Sequence, residues 1–485
     1  MVEDTKRRRR ELAMRFFTYG VMTIAVIVGV VFCVAWAMGY RFDLRSGQLS
    51  QVALLQFNTY PTGATVSVGK TTLTSRTPTR ANVRTGSLNV TMRRDGYRTW
   101  AKQVTTQPST VQWLDYVRLI PEKISTKSVK SFNNISDIKA SPSRKWLAIV
   151  TDQNSHVLTL LDISNPEKVK DSEIKYSDDV VSAAPEGASE QFSIIEWDSG
   201  SRYVLMRHDY GDSTEYLKVD RQNKDKIQNL TRDFAMNIVD PHFSGNSGDV
   251  FYALTDGSIR KLDYGNKSVS SPLATDVTEY RLYGTSRLVY ATKTGEGDQL
   301  KQSVAIYNDG KVQQLRQFKD DKPVHVAFTE YNNEDYLAWS HDGKVTMLSN
   351  PLDESGLFSG GDEHADGSKS DTVTLNMNAD WVQFNNSGRL LLAGKDKDVL
   401  VYDPETESQY NLTLSQSGKP FFIDDYHILD QNDDGIAIMD FDGTNRQHVV
   451  SGRLPAVLSS DNKYLFSLDN ISGGVVLQRS NMTVE

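Results

Sequence analysis

The chain has 485 residues and a formal net charge of −8, with 38% hydrophobic and 24% charged residues. Its one cysteine, Cys33, excludes an intramolecular disulfide and a zinc site built from several cysteines. Residues 1–15 carry 6 basic and 3 acidic side chains, residues 41–120 carry 11 and 3, and residues 121–485 carry 37 and 56. This change from a basic to an acidic segment predicts a domain boundary near Pro121.

An apolar stretch over residues 16–38 follows a basic cluster made of Lys6, Arg7, Arg8, Arg9 and Arg10. As a helix it would be about 34 Å long, enough to cross a hydrocarbon core of about 30 Å. Because short flanks rich in Lys and Arg stay in the cytoplasm, we predict a cytoplasmic tail over residues 1–15 and a transmembrane signal anchor over 16–40. The remainder would then be extracytoplasmic, and the protein would be a single-pass protein of the cell membrane.

The alternative for this stretch is a cleaved signal peptide. Ala35-Trp36-Ala37 fits the small-x-small pattern of a cleavage site. The apolar run is, however, longer than the about 7–15 residues usual for the apolar region of a signal peptide, which favours a retained anchor.

A small β domain is predicted over residues 52–120, after a linker over 41–51. Its strands are expected at 52–57, 64–68, 88–92 and 111–119, which are rich in Val and Thr and separated by Gly and Pro turns. The order of the turn residues resembles the PEGA domain, a small β-sandwich-like module of surface and envelope proteins. The matching landmarks are Pro61, Gly63, Ala64, Thr77, Pro78, Gly86, Gly96 and Tyr97, with Thr62 in the position of the family's Glu. The resemblance implies a binding or spacer role at the cell envelope and assigns no catalytic residue.

Residues 121–485 are predicted to form a β-propeller. An apolar strand, a short polar turn and a second apolar strand recur most clearly at 140–150, 384–393 and 458–468, with weaker copies near residues 197, 243, 282, 328 and 423. Eight copies give a period of about 44 residues, which is typical of propeller blades with four strands. Seven blades are the alternative. Residues 125–132 look like an outer strand without its own blade, and we expect them to pair with the last blade and close the ring.

The turns resemble those of the WD40-like repeats of the TolB family, which read Ser-Pro-Asp-Gly-Lys. Residues 340–344 match four of these five positions, residues 141–145 match three, and residues 386–389 match in part. Two polar stretches, 182–190 and 353–371, are predicted to be flexible loops. The expected fold class is therefore all-β, with one N-terminal transmembrane helix, a PEGA-like β-sandwich and a propeller.

The sequence contains no G-x-S-x-G, H-E-x-x-H or Walker motif. The candidate metal site is Asp430, Asn432 and Asp434, because oxygen ligands at alternate positions before a glycine suit calcium. Position 12 of such a loop is Phe441 instead of Glu, so an Asp-Gly hairpin between two strands is the alternative; no other cofactor is expected. The histidines are expected to be strand or turn residues: His156, His208, His242, His325, His341, His364, His427 and His448.

Two functions fit these features. The first is a membrane-anchored, extracytoplasmic binding or scaffold protein of the cell envelope, whose propeller recognises a protein or an envelope polymer. Its basic segment would also contact anionic lipids or wall polymers, at about 1 kcal/mol for each Lys or Arg near such a surface. The second is an envelope enzyme acting on a glycan or peptide, which requires acid and base residues to converge in the axial channel. Nucleic-acid binding is not expected, because no basic-aromatic motif is present.

Overall fold

The structure, a computed structural model, describes residues 2–37, 40–43, 48–351 and 372–484. The chain separates into two compact units, Met1–Lys123 with Val484–Glu485 as unit 1 and Ile124–Thr483 as unit 2. His364 and the whole loop predicted at 353–371 lie outside the described residues.

The first element is a long helix, α1, which spans Val2–Ala37. Its segment Met14–Trp36 is long and apolar enough to cross a membrane, and no other helix in the described ranges has this property. Thr18 donates its hydroxyl to the carbonyl of Met14 at 2.9 Å, and Thr23 does the same to Tyr19 at 2.8 Å. The segment therefore pairs these two hydroxyls internally, as an apolar surrounding requires. The predicted apolar N-terminal helix is confirmed.

Unit 1 contains a sandwich of two four-stranded sheets. Its strands are β1 Tyr40–Asp43, β2 Gln48–Tyr60, β3 Thr65–Val68, β4 Thr71–Arg76, β5 Thr79–Arg84, β6 Gly86–Arg93, β7 Trp100–Thr106 and β8 Val111–Arg118. One sheet has the order β1-β2-β5 with β8 also paired to β2, and the other has the order β4-β3-β6-β7. Alternate residues of β2, including Leu55 and Phe57, are buried and pack with Val66 and Met92 of the other sheet.

The linker predicted over 41–51 is only partly a linker. Residues 40–43 form β1 and pair antiparallel with residues 48–51, the start of β2. The physical reason is local, because Tyr40 and Phe42 are aromatic residues that favour strands.

Unit 2 consists of eight four-stranded sheets, counted over its described residues. The strands of the first four blades are β10 Asp137–Ala140, β11 Trp146–Val150, β12 Val157–Asp162 and β13 Lys170–Lys175; β14 Glu190–Trp197, β15 Tyr203–Tyr210, β16 Ser213–Asp220 and β17 Ile227–Asn229; β18 Val239–Phe243, β19 Val250–Thr255, β20 Ser258–Asp263 and β21 Ser268–Val269; β22 Val277–Tyr283, β23 Arg287–Thr294, β24 Lys301–Asn308 and β25 Lys311–Phe318. A short helix, α2 Leu230–Phe234, follows β17, and a 3₁₀ turn, Gly297–Gln299, precedes β24.

The strands of blades 5 to 8 are β26 His325–Tyr331, β27 Glu334–His341, β28 Lys344–Ser349 and β29 Thr372–Asn376; β30 Trp381–Phe384, β31 Leu391–Lys395, β32 Asp398–Asp403 and β33 Ser408–Thr413; β34 Phe421–Phe422, β35 His427–Asn432, β36 Gly435–Asp440 and β37 Gln447–Val450; β38 Arg453–Leu458, β39 Tyr464–Ile471 and β40 Gly474–Asn481 with β9 Thr126–Phe132. First strands of neighbouring blades contact each other in the pairs β10 with β14, β22 with β26, β26 with β30 and β10 with β38. The first strands therefore surround the axis, as in a propeller. The predicted count of eight blades is confirmed.

The apolar core lies between successive blades. In β11 the side chains of Ala148 and Val150 belong to a cluster with Val204 of blade 2, whereas Leu147 and Ile149 belong to a cluster with blade 8. Because successive side chains of a strand point to opposite faces, both faces of the sheet are buried against neighbours. This explains why the central strands are continuous apolar runs in the sequence.

The ring closes through the strand that precedes blade 1. β9 pairs antiparallel with β40, with Thr126 opposite Ser480 and Phe132 opposite Val475. The hydroxyl oxygens of Thr126 and Ser480 are 2.8 Å apart. The predicted closure by residues 125–132 is confirmed.

One of the three TolB-like turns has a different place in its blade. Residues 141–145 and 386–389 lie between the first and second strands, but residues 340–344 lie at the turn between β27 and β28, the second and third strands. Asp342 and Gly343 of this turn have φ values of 47° and 73°. A two-residue hairpin turn needs such left-handed backbone conformations and therefore favours Asp and Gly, which explains why the turn carries the same residues as the TolB repeats.

Candidate functional site

The candidate site is a cavity of about 580 Å³ where blades 6, 7, 8 and 1 meet. Its wall is formed by the first strands of these four blades and by the turns that follow them. Because the first strands surround the axis of the propeller, the cavity lies near that axis. Its lining residues are Ala140, Ser141, Pro142, Arg144, Asn386, Phe422, Ile423, Asp424, Asp425, Ala456 and Val457. Small or apolar side chains such as Phe422 and Val457 form part of the wall, and three charged groups complete it.

Arg144 is the cation of this cavity. It lies in the turn after β10 in a left-handed conformation with φ of 56°. Its Nη1 donates to Oδ1 of Asn462 at 2.8 Å, which holds the guanidinium between blades 1 and 8. The remaining N–H groups are available to an acceptor in the cavity.

The two adjacent carboxylates of the cavity differ in role. Oδ1 of Asp424 accepts from the backbone N–H of Tyr426 at 3.0 Å and of His427 at 2.9 Å, and it lies 2.7 Å from Nδ1 of the buried His427 ring. Asp424 therefore fixes the loop before β35. Among the described residues Asp425 makes no side-chain hydrogen bond of this kind. Burial raises its pKa, the charge of Asp424 raises it further, and Arg144 opposes the rise.

The chemistry available in the cavity is recognition of a polar group. One cation, Arg144, and one carboxylate, Asp425, face it beside apolar wall atoms. A pair of carboxylates that shares acid and base work needs both groups directed at the substrate. Since Asp424 is held by the loop, no catalytic constellation is evident among the residues that the structure describes.

A second set of charged groups fastens adjacent blades to one another. Nδ1 of His242 lies 3.0 Å from Oε2 of Glu196, whose Oε1 accepts from the Phe243 N–H at 2.6 Å. Burial disfavours the charged imidazole, but Asp240 and Glu196 outweigh this and raise the pKa of His242 to about 9. The blade 3 strand is thus held on blade 2 by a charged pair.

The same arrangement recurs between blades 4 and 5. Nδ1 of His325 lies 2.8 Å from Oε2 of Glu279, and Oε1 of Glu279 accepts from the Val326 N–H at 3.3 Å. The sequence separation is 46 residues in both pairs. This separation, close to one blade repeat, is the signal by which the pairs could have been found in the sequence. The histidines involved are strand residues, as expected.

A buried histidine also joins two carboxylates in blade 2. The fully buried His208 has Nδ1 2.9 Å from Glu215 and Nε2 2.9 Å from Glu190, and Glu190 lies 3.0 Å from Nε2 of His156. Burial raises the pKa of Glu215, but hydrogen bonds from His208, Ser182 and Asn229 outweigh it and lower the pKa to about 2. The cluster is a structural network because its central ring is inaccessible.

The candidate calcium residues lie at the hairpin between β35 and β36. Asp430 is buried, accepts from the N–H and hydroxyl of Ser415 at 2.8 Å each, and pairs with Arg446 at 2.7 Å. Asn432 accepts from the N–H of Asp434 at 3.2 Å within the two-residue turn. A calcium ion would have to displace Arg446 from Asp430. Among the described residues no group of three His, Cys, Asp or Glu is placed to hold a metal.

The PEGA landmarks lie at turns and in the core of unit 1. Gly63 and Gly96 have φ values of 89° and 79°, which favour glycine. Ala64 is fully buried, and its N–H donates to Oγ1 of Thr77 at 2.9 Å. Tyr97 is buried and its hydroxyl accepts from the N–H of Val484 at 2.7 Å. Pro61 and Pro78 belong to the same pair of turns, and Gly86 opens β6 with φ of 114°.

The basic cluster Lys6 to Arg10 lies within α1. The polar stretch predicted as a loop over 182–190 contains no helix or strand up to residue 189, and its last residue, Glu190, begins β14. These positions add no side chain to the cavity.

Comparisons with known proteins give one family match and several distant structural similarities. Residues 53–119 match the PEGA domain family. No curated protein matches the sequence. Among solved structures the chain is similar to the tricorn protease, with 11% identity and a TM-score of 0.42 over 77% of this chain and 39% of that one. It is also similar to the Dos1 propeller, with 12% identity and a TM-score of 0.42 over 73% and 94%, and to dipeptidyl peptidase 4 of Porphyromonas gingivalis, with 11% identity and a TM-score of 0.44 over 73% and 58%.

The chain thus spans well under half of the tricorn protease. The match over residues 53–119, together with the sandwich of strands in that segment, identifies a PEGA domain in a chain that also carries one apolar N-terminal helix and an eight-bladed β-propeller.

Proposed function

We propose that this protein is a membrane-anchored binding protein of the cell envelope, whose propeller recognises a protein or an envelope polymer at the cavity between blades 6, 7, 8 and 1. The observation that carries the proposal is the cavity itself. Its volume of about 580 Å³ and its mixed wall, apolar with a few convergent polar groups, suit a ligand site. Arg144 would donate to a carbonyl or an acidic group, and Asp425 would accept from an amine or a hydroxyl.

The anchor supports the envelope setting. α1 contains an apolar segment of 23 residues that is long enough to span a bilayer, and a basic cluster precedes it. Under the positive-inside rule the tail is cytoplasmic and both folded units lie outside. The PEGA domain then separates the bilayer from the propeller along the chain.

An enzyme is the second candidate, and the adjacent carboxylates Asp424 and Asp425 are the observation that favours it. The raised pKa of Asp425 suits a general acid. Asp424, however, is held by three contacts within its own loop. Recognition therefore explains the cavity better than catalysis.

Photo-crosslinking tests the recognition proposal. A photoreactive amino acid at Asn386, an exposed residue of the cavity wall, is expected to capture a partner when the full chain is expressed in cells. Adding Arg144→Gln and Asp425→Asn should abolish the crosslink without changing the melting temperature. The matched control is the same photoreactive group at Val312, an exposed position on the outer strand of blade 4. Equal capture at both positions, or capture that survives both substitutions, would contradict the proposal.

A further inference from the structure

A separate cavity of about 340 Å³ lies in the PEGA domain and is rich in arginine. Its wall contains three arginines and one acidic residue, namely Arg76, Arg93, Arg94 and Asp95. Gly63, Thr65, Tyr97 and Val484 complete it. The four charged groups carry a net charge of about +2 at neutral pH. A surface of this kind attracts anions.

Two of the arginines are placed by the register of the sheet. Thr65 of β3 pairs with Arg76 of β4 on one side and with Arg93 of β6 on the other. The three residues therefore form one row across three strands, and the two arginine Cα atoms are about 10 Å apart. Val66 and Met92, the neighbouring pair, are fully buried, so Thr65 and Arg93 lie on the opposite, solvent-facing side.

The third arginine is fixed in place. Nη1 of Arg94 donates to the carbonyl of Thr62, and its guanidinium carbon lies 5.3 Å from the centre of the Tyr97 ring. Both contacts leave donors of the guanidinium free. Among the described residues none of the three arginines has a carboxylate within ion-pair distance. Among the described residues that line the cavity, Asp95 is the one acidic group.

A line of hydroxyl groups continues from this cavity along the same sheet face. Ser67, two residues after Thr65, pairs with Thr72 on one side and Thr91 on the other. The oxygens of Ser67 and Thr72 are 2.9 Å apart. The face thus offers a cationic cavity at one end and neutral hydrogen-bonding groups beyond it.

We propose that the cavity formed by Arg76, Arg93 and Arg94 binds a phosphate group. Guanidinium groups make paired, charge-assisted hydrogen bonds with phosphate oxygens, and three of them around one anion match its several acceptors. The hydroxyl line would contact polar groups next to the phosphate. The phosphate would come either from a lipid headgroup of the membrane or from a phosphate-bearing molecule in solution. This inference goes beyond the proposed function, since it holds whether or not the propeller recognises a partner.

Calorimetric titration of the full chain with inorganic pyrophosphate tests the site. The chain is placed in nanodiscs of phosphatidylcholine, where we expect saturable binding of one pyrophosphate. Arg76→Gln with Arg93→Gln should weaken this binding at least about tenfold, because two of the three charged donors are lost. The matched control is Lys70→Gln with Arg80→Gln, which removes the same charge from the far turn of the β3–β4 hairpin and from β5.

The control variant should bind pyrophosphate within about twofold of the wild-type affinity. All variants should keep the wild-type melting temperature of unit 1. Absence of saturable binding, or an equal loss in both double variants, would overturn the proposal. Nanodiscs with phosphatidylglycerol identify the source. If lipid headgroups occupy the site, phosphatidylglycerol should lower the affinity for pyrophosphate in the wild type and in the control. The same lipid should leave the affinity of the Arg76→Gln with Arg93→Gln variant unchanged. An unchanged affinity of the wild type assigns the site to a soluble phosphate.

Discussion

At the scale of single residues, the PEGA landmark Thr77 acts through its hydroxyl. Oγ1 of Thr59 donates to the Pro61 carbonyl at 2.7 Å, so the hydroxyl of Thr77, 2.7 Å from Thr59, donates to Thr59. The oxygen of Thr77 can then accept from the buried N–H of Ala64. One hydroxyl thus joins the two turns of the domain.

Replacing this hydroxyl should destabilise unit 1. Thr77→Val leaves the Ala64 N–H without its acceptor, which costs about 1–3 kcal/mol for a buried group. Thermal unfolding of unit 1 should shift to lower temperature, and Thr77→Ser should restore most of the loss. Thr72→Val, at an exposed hydroxyl pair, is the control with little expected change. A Thr77→Val protein as stable as the wild type would show that the hydroxyl is dispensable.

Glu215 makes the stability of the propeller depend on acid pH. Its folded pKa of about 2 lies below the ordinary value of 4.5, so the folded state favours the charged form. This contribution, roughly 3 kcal/mol from the pKa difference, is present above pH 4.5 and is lost as the pH falls from 4.5 toward 2. Glu215→Gln should therefore lower the free energy of unfolding at pH 7, and the difference from the wild type should shrink below pH 4. Urea unfolding at several pH values measures it.

The matched control is Glu173→Gln, at an exposed position on the outer strand of blade 1. A difference between wild type and Glu215→Gln that stays constant from pH 7 to pH 3 would contradict the assignment.

At the scale of elements, the hairpin of β35 and β36 is expected to be independent of calcium. Asp430 is already paired with Arg446 and Ser415, and Asn432 is bonded within its own turn. Treatment with a chelator should leave the melting temperature unchanged. A fall that added calcium reverses would restore the calcium interpretation.

Closure of the ring can be tested with a disulfide. Thr126→Cys with Ser480→Cys, in a chain whose Cys33 is replaced by Ser, should oxidise readily, because the two hydroxyls already touch. The bridge would close a loop of more than 350 residues and stabilise the propeller by roughly 3–5 kcal/mol. Mass spectrometry under non-reducing conditions and thermal unfolding measure both effects. Thr126→Cys with Ser467→Cys, which places the second thiol on β39, should not form a bridge; bridging of both pairs to the same extent would contradict the register.

The elements predicted from the sequence are those whose residues are buried. The central strands of the blades and four strands of the PEGA domain carry apolar runs or alternation, which burial imposes. The sequence does not predict β4, β5 and β7. Thr and Arg make up at least half of β4 and of β5, and most of β4 is exposed. In β7 the buried residues are separated by polar or small ones, so no apolar run marks the strand. The cavity residues Arg144 and Asp425 were not predicted either. They come from blades 1 and 7, and only the closed ring brings them together.

At the scale of the whole molecule, the charge distribution and α1 predict the topology. Protease treatment of intact cells should degrade the propeller and leave an epitope on the tail protected, because only the tail is cytoplasmic in this arrangement. The purified chain in detergent, where the propeller should be cleaved in either case, is the control. Full protection in cells of a propeller that is cleavable in detergent would refute the topology.

The strand that closes the ring has a mechanical consequence. β9 follows directly on the PEGA domain along the chain, and β40 holds it by a ladder from Thr126 to Phe132. If a captured partner pulls on the propeller while the N-terminal helix stays fixed, the tension enters the propeller through β9. The seam between β9 and β40 would then be the first part of the ring to bear the load, and its hydrogen bonds would set the force at which the propeller opens.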